Sequence, residues 1–166
     1  MPFRPQKKSL AAIVGAVVAA ASISFTGGRE GVSLEPYDDA IGGHVQTVCY
    51  GETNVPMRRY TLAECKQILG TSLAGYASGV RAMTPGFDQL ADGQKVAVID
   101  FAYNAGLENY RRSTLRRRYI ARDFPGACDE FMKWRFAGGL DCSIAASHCA
   151  GIYNRRRADR AACLGE

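Results

Sequence analysis

The 166-residue sequence contains no Cys-x-x-Cys pair and only two histidines, His44 and His148. Metal sites draw on thiolates and imidazoles at short, fixed spacings, so neither a metal nor another cofactor is expected. Tryptophan occurs once, at Trp134. From Ser9 to Gly28 no residue is charged, and no second long apolar span follows. Internal repeats and low-complexity tracts are absent, which excludes a solenoid. With 47% hydrophobic and 22% charged residues, the chain has the makings of one domain with a real core, and wholesale disorder is excluded.

Lysine and arginine outnumber aspartate and glutamate by 21 to 16, a formal net charge of +5. Such a surface favours anionic partners such as nucleic acid, anionic lipid or an acidic wall polymer, and charge alone does not choose among them. Six cysteines form an even set: Cys49, Cys65, Cys128, Cys142, Cys149 and Cys163. Disulfides in an oxidising compartment fit that set better than metal ligation does.

The opening MPFRPQKK carries Arg4, Lys7 and Lys8 and no acid, ahead of the uncharged run SLAAIVGAVVAAASISFTGG. A basic segment before an apolar one reads as an export signal. The run approaches the ~20 residues that span a bilayer as helix, and the basic flank would stay cytoplasmic. It is only weakly apolar, because Ala, Gly, Ser and Thr fill most of it. Two readings stand. The segment is a cleaved signal peptide, with small residues for cleavage in AAAS, or it stays attached as an anchor held by a thin margin.

Past Gly28 the sequence turns polar. Val45 to Tyr50 alternates as a short strand, and Gly42-Gly43 signals the turn of a small hairpin. Thr61-x-x-Glu64 is a capping box. Behind it Leu62, Cys65, Leu69, Leu73, Tyr76 and Val80 define one apolar face, and Pro85-Gly86 ends the helix. Further helices are expected from Asp92 to Gly106, after Ser113, from Pro125, and over YNRRRADRAACL at the end. The Arg116–Arg118 and Arg155–Arg157 runs read as solvated faces able to attract anionic polymer. Trp134 reads as a core residue. The body is thus α+β, mostly α, with one small sheet.

The chemistry concentrates in EGVSLEPYDDAIGGHVQTVCYGET, residues 30–53. Cleaving a glycosidic bond needs a protonated carboxylic acid at the leaving oxygen and a second carboxylate on the other side of the bond. Partial burial keeps such an acid protonated near neutral pH. Glu30, beside Gly31 and before Val32 and Leu34, suits the acid. Asp39 or Asp38, in a polar turn, suits the base, and Thr47 can orient the attacking water. By itself a Glu and an Asp nine apart are ordinary surface residues, and a strand threonine is an ordinary strand former.

The pattern gains weight because E-G-x9-D…T-V-C-Y-G-E-T resembles the signature of phage-type lysozymes, glycoside hydrolase family 24. FAYNAGLENYRRSTLRRR at 101–118, WRFAGG at 134–139 and the arginine-rich last helix continue the likeness, which spans roughly residues 29–166. The N-terminal run is similar to the signal-arrest-release anchors of phage endolysins. The resemblance implies a two-lobed fold: a small lobe at about 29–60 with a β element, a linking helix at about 61–83, and a helical lobe at about 84–166. It implies residues 1–28 as a signal-anchor. By position it makes Glu30 the general acid, Asp39 the base and Thr47 the accompanying threonine, with Tyr103, Asn104 and Gly106 lining the saccharide site. Two departures stand out: Thr47 follows Asp39 by eight residues rather than six, and GET replaces a common GHT.

The activity so implied is cleavage of the β-1,4 bond between N-acetylmuramic acid and N-acetylglucosamine, leading to host lysis. A lytic transglycosylase on a similar fold is the alternative; a non-catalytic wall- or membrane-active basic protein stands further off. The implied partners are peptidoglycan strands and, through residues 9–28, the inner membrane before release into the periplasm; nucleic acid is not among them, and the protein is expected to be a monomer. Six cysteines allow 15 pairings. The implied lobes favour Cys49–Cys65, Cys128–Cys163 and Cys142–Cys149. No cysteine lies in residues 9–28, so a disulfide swap inside the anchor is not expected.

Overall fold

The computed structural model describes residues 8–40 and 43–166. These fall into two compact units, 1–74 and 75–166, with the boundary inside one long helix.

The first unit begins with α1 (Leu10–Val14) and α2 (Ala16–Glu30). Ser9 caps α1 by accepting from the Ala12 N–H at 3.2 Å. Gly15 divides the two helices at φ 86°, a left-handed conformation that glycine adopts without a Cβ clash. The uncharged run is therefore not one rod. α2 has 15 residues, about 22 Å at 1.5 Å per residue, against a hydrocarbon core of about 30 Å. Among the described residues no helix is long and apolar enough to cross a membrane. Arg4 and Lys7, which bear on the orientation of an anchor, lie outside the described residues.

α2 packs through small side chains. Val18, Ala19, Ser22 and Thr26 are its buried positions, spaced to make one helical stripe. A Cβ on Gly27 would sit 3.3 Å from both Leu69 and Tyr50, and one on Gly70 would sit 3.1 Å from Ile23. Such close approach leaves α2 little freedom to slide or rotate against α3 (Leu62–Met83).

The hairpin follows. β1 (Ser33–Asp39) pairs antiparallel with β2 (Val45–Cys49), with Tyr37 opposite Thr47 and Asp39 opposite Val45, and an irregularity between Ser33 and Tyr37. The turn closes with the His44 N–H donating to the Asp39 carbonyl at 2.8 Å, and Gly43 and His44 both take positive φ. Gly42, expected as part of this turn, lies outside the described residues.

The capping box at the start of α3 is formed: Glu64 N–H donates to Thr61 Oγ1, and Thr61 N–H donates to Glu64 Oε2. The hydrogen bond from the Arg58 guanidinium, and after it those from Thr61, hold the Glu64 carboxyl down to about 2. Cys65, Leu69, Leu73, Ala77 and Val80 form the buried stripe of α3. Leu62, expected on that stripe, is 44% exposed; as the first helical residue it precedes the turn where the face begins. Cys49 bonds Cys65, joining β2 to α3.

The second unit is built around α4 (Asp92–Ala105). Val96, Ala97, Val98, Ile99, Phe101 and Ala102 are all buried, so the helix is apolar nearly all round and must be central. Around it lie α5 (Leu107–Arg112), α6 (Thr114–Ile120), α7 (Phe124–Glu130) and α8 (Ala150–Leu164). Phe101 meets Tyr110, Phe131 and Trp134 edge to face, so Trp134 packs on the core ring while itself remaining half-buried. A Cβ on Gly93 would lie 2.1 Å from the Ala162 carbonyl oxygen, which shows how closely α4 and α8 approach. Cys128–Cys163 ties α7 to α8, and Cys142–Cys149 closes a seven-residue separation ahead of α8. A second hairpin, β3 (Phe136–Ala137) with β4 (Leu140–Asp141), adds a sheet to the one expected. Its two-residue strands are too short to show alternation.

Candidate active site

Three side chains carry the chemistry expected of the first unit. Glu30 is the last residue of α2 and is exposed. Gly31 ends the helix at φ 70° and turns the chain into β1. The carboxyl is thus presented by the end of a helix whose other face is locked by Gly27 and Thr26. The shelter expected for this acid is not seen at Glu30, which stands on an exposed helix end.

Asp39 and Thr47 lie on one face of the hairpin. Paired residues in a sheet share a face, and so do residues two apart. Asp39 opposite Val45, with Thr47 two further on, makes Asp39 and Thr47 diagonal neighbours, a relation that separates them by about 7–8 Å. Asp39 and Val45 form the last pair of the ladder. Asp38 points to the opposite face, opposite Gln46, and its Oδ2 lies 3.0 Å from His44 Nδ1. Thr47 is 3% exposed and its Oγ1 donates to the Val45 carbonyl at 2.9 Å. Its hydroxyl proton is committed, which leaves the oxygen as an acceptor for water. Glu52 of the GET segment is bridged by the backbone to Val48 and accepts from Ser72 Oγ at 2.8 Å, so it braces the hairpin against α3.

In the second unit Tyr103 stacks edge to face with Tyr76 at 5.4 Å. Asn104 is exposed and its Oδ1 accepts from Arg156 Nη2 at 2.9 Å, leaving the amide nitrogen as a donor. Gly106 ends α4 at φ 94° and starts α5. Among the described residues no group of three or more His, Cys, Asp or Glu is placed to hold a metal.

The arginines of α8 differ from the solvated face expected of them. Arg155 and Arg156 are 8% and 1% exposed, and only Arg157 of the run is exposed. Arg155 Nε and Nη2 donate to the two oxygens of fully buried Asp100 at 2.9 and 2.8 Å. Arg156 Nε lies 3.2 Å from Asp159 Oδ2, and its guanidinium sits 5.2 Å over the Phe101 ring. The signal for this network was an acid inside VAVIDFA, an otherwise apolar helical run.

Burial pushes the Asp159 carboxyl well above its usual range, and the Asp100 carboxylate beside it acts the same way, outweighing Arg156. A carboxyl raised in the folded state adds stability that is fully present below its unfolded value, about 4, and is lost as pH rises through the folded value. The Asp159 contribution to stability is therefore expected to fall as pH rises above about 4. Urea unfolding of wild type and Asp159→Asn over that rise checks it: the variant should lack this decline.

The phage lysozyme pattern matches residues 27–159, and the chain belongs to the phage lysozyme family. Its relatives include the SAR-endolysin of Bacteriophage PS119, 38% identical over 93% of this chain and 91% of that protein. The SAR-endolysin of Enterobacteria phage P21 is 37% identical over 99% and 98%. Among solved structures, a P22 lysozyme mutant shares the fold with a TM-score of 0.73 at 22% identity, covering 87% of this chain and 96% of that one. The active form of the P1 phage endolysin Lyz gives 0.73 at 16% identity, covering 95% and 94%.

Proposed function

We propose that Glu30 donates the proton to the leaving glycosidic oxygen, that Asp39 activates the attacking water, and that Thr47 accepts a hydrogen bond from that water. Family membership makes the chain a lysozyme-type glycoside hydrolase of peptidoglycan, an endolysin whose action lyses the host cell. The observation that carries the residue roles is the shared hairpin face of Asp39 and Thr47, together with Glu30 at the helix end leading into that hairpin. Two carboxylic groups and an accepting hydroxyl on adjoining elements meet the needs of hydrolysis through water. Tyr103, Asn104 and Gly106 contribute a ring, an amide and a close backbone approach to the sugar.

Residues 9–28 have a second state in this reading. Relatives carry the name SAR-endolysin, which supports an anchored, inactive form in the inner membrane and a released form active in the periplasm. On release the uncharged run folds as α1 and α2, burying Leu10, Ile13, Val14 and Val18. The catalytic glutamate ends that same helix, so release and positioning of the acid are one event. Deleting residues 1–28 is expected to remove most of the activity in turbidity clearing of purified peptidoglycan. Full activity in the deletion would overturn the positioning role and leave the hydrolase standing. Mass spectrometry of wild-type products is expected to give reducing muramic ends; anhydro ends would make the enzyme a transglycosylase.

A further inference from the structure

α8 presents a groove on the second unit that the chemistry above does not use. Its volume is about 640 Å³, and it is lined by Met132, Tyr153, Asn154, Arg157, Arg160 and Glu166, with Ala158 and Ala161 also in its wall. The concavity has a sequence cause. Ala158 and Ala161 are three apart on α8, so two truncated side chains adjoin on one face. Around them stand an aromatic ring, an amide, two guanidinium groups and a carboxylate. Volumes of about 300–1,000 Å³ are those of small-ligand sites.

The charges are not all spoken for. Arg160 Nε is held by Asp129 at 2.8 Å. Arg157 makes no ion pair among the described residues; its guanidinium stands 5.9 Å from the Tyr153 ring, one helical turn away. A groove with a guanidinium and a carboxylate in its lining complements a ligand that carries both an anionic and a cationic group. Tyr153 and Met132 offer contact to its apolar stem, and Asn154 can both donate to and accept from a peptide bond.

We infer that this groove binds the short peptide stems of peptidoglycan, which carry free carboxylates and a free ammonium, with Arg157 receiving a carboxylate and Glu166 the ammonium. The inference rests on the reading of the chain as a peptidoglycan hydrolase. Such a site need not touch the bond being cut. A strand bears many stems, so a second point of attachment raises the local concentration of glycan at the enzyme.

The test is a titration of the full chain with a soluble diaminopimelate-containing stem tetrapeptide, followed by NMR. Shifts centred on Met132, Tyr153 and Arg157, weakened about tenfold in affinity by Arg157→Ala, are the expected result. No shift in this groove, or equal affinity for Arg157→Ala, would overturn the inference. Arg157 is exposed, so the substitution leaves the core intact. A kinetic comparison separates this idea from the hydrolase reading. Arg157→Ala is expected to raise KM several-fold on intact peptidoglycan and to match wild type on strands stripped of their peptides; equal KM on both materials counts against the groove. Wild type inactive on both substrates would refute the hydrolase reading, while the peptide titration would still decide the groove.

Discussion

Glu30→Gln is expected to lower the release of reducing ends from purified peptidoglycan by about a thousandfold, the midpoint of what a general acid supplies. The amide keeps the size and polarity of the carboxyl but has no proton to give to a departing sugar oxygen. Glu30 is exposed at the end of α2, with Gly31 beyond it, so the loss should come without a loss of folding. Melting within about 0.5 kcal/mol of wild type would show that. The hairpin supplies an internal control. Asp38 and Asp39 are adjacent in sequence but face opposite sides of the sheet. Asp39→Asn is therefore expected to share the defect of Glu30→Gln, and Asp38→Asn to act nearly as wild type. Equal defects at both aspartates would show that the face is not what matters.

Asp100→Ala is expected to cost about 3–5 kcal/mol of unfolding free energy, the range for breaking a buried ion pair from one side. Asp100 is fully buried on α4 and receives two charge-assisted hydrogen bonds from Arg155 of α8. Removing it strips a mostly buried guanidinium of both bonds and leaves a cavity at the helix pair on which the second unit is built. A small domain has only about 5–15 kcal/mol in total, so the variant is expected to unfold at a much lower urea concentration. Asp100→Asn keeps the shape and one accepting oxygen, so it should lose less. Urea denaturation of the three proteins at neutral pH orders them.

Local features of the fold were legible in the sequence because local chemistry decides them. The Thr61–Glu64 capping box, the Ser113 cap and the strand at Val45–Cys49 each depend on residues a few positions apart, and each formed. Exposure along that strand does not alternate, however: Val45 and Gln46 are exposed and Thr47, Val48 and Cys49 are buried. What failed depends on distant partners. Arg155 and Arg156 look like any basic helix face until Asp100, 55 positions away from Arg155, is known to lie beneath them. The uncharged run gave composition but not shape. Its break falls at Gly15, where φ is 86°, and the helix beyond it packs through Ile23 and Gly27 against Gly70, Leu69 and Tyr50, which no window of the run contains. In the candidate site, residue types alone left Asp38 and Asp39 both open, and the resemblance to the phage lysozyme signature pointed to Glu30, Asp39 and Thr47. The shared face came only with strand register, because a one-residue slip would have reversed it.

The three disulfides bear on timing. Each cross-link closes a loop that thiol-keeping compartments hold open. A newly made chain would therefore carry six thiols, with its hairpin untied from α3 and α7 untied from α8. In the proposed anchored-and-released cycle, oxidation would complete the body on the far side of the membrane, beside the wall polymer. On that reading the producing cell would hold an unfinished enzyme, and the last step of maturation would act as a customs check, finishing the hydrolase only on arrival beside its substrate.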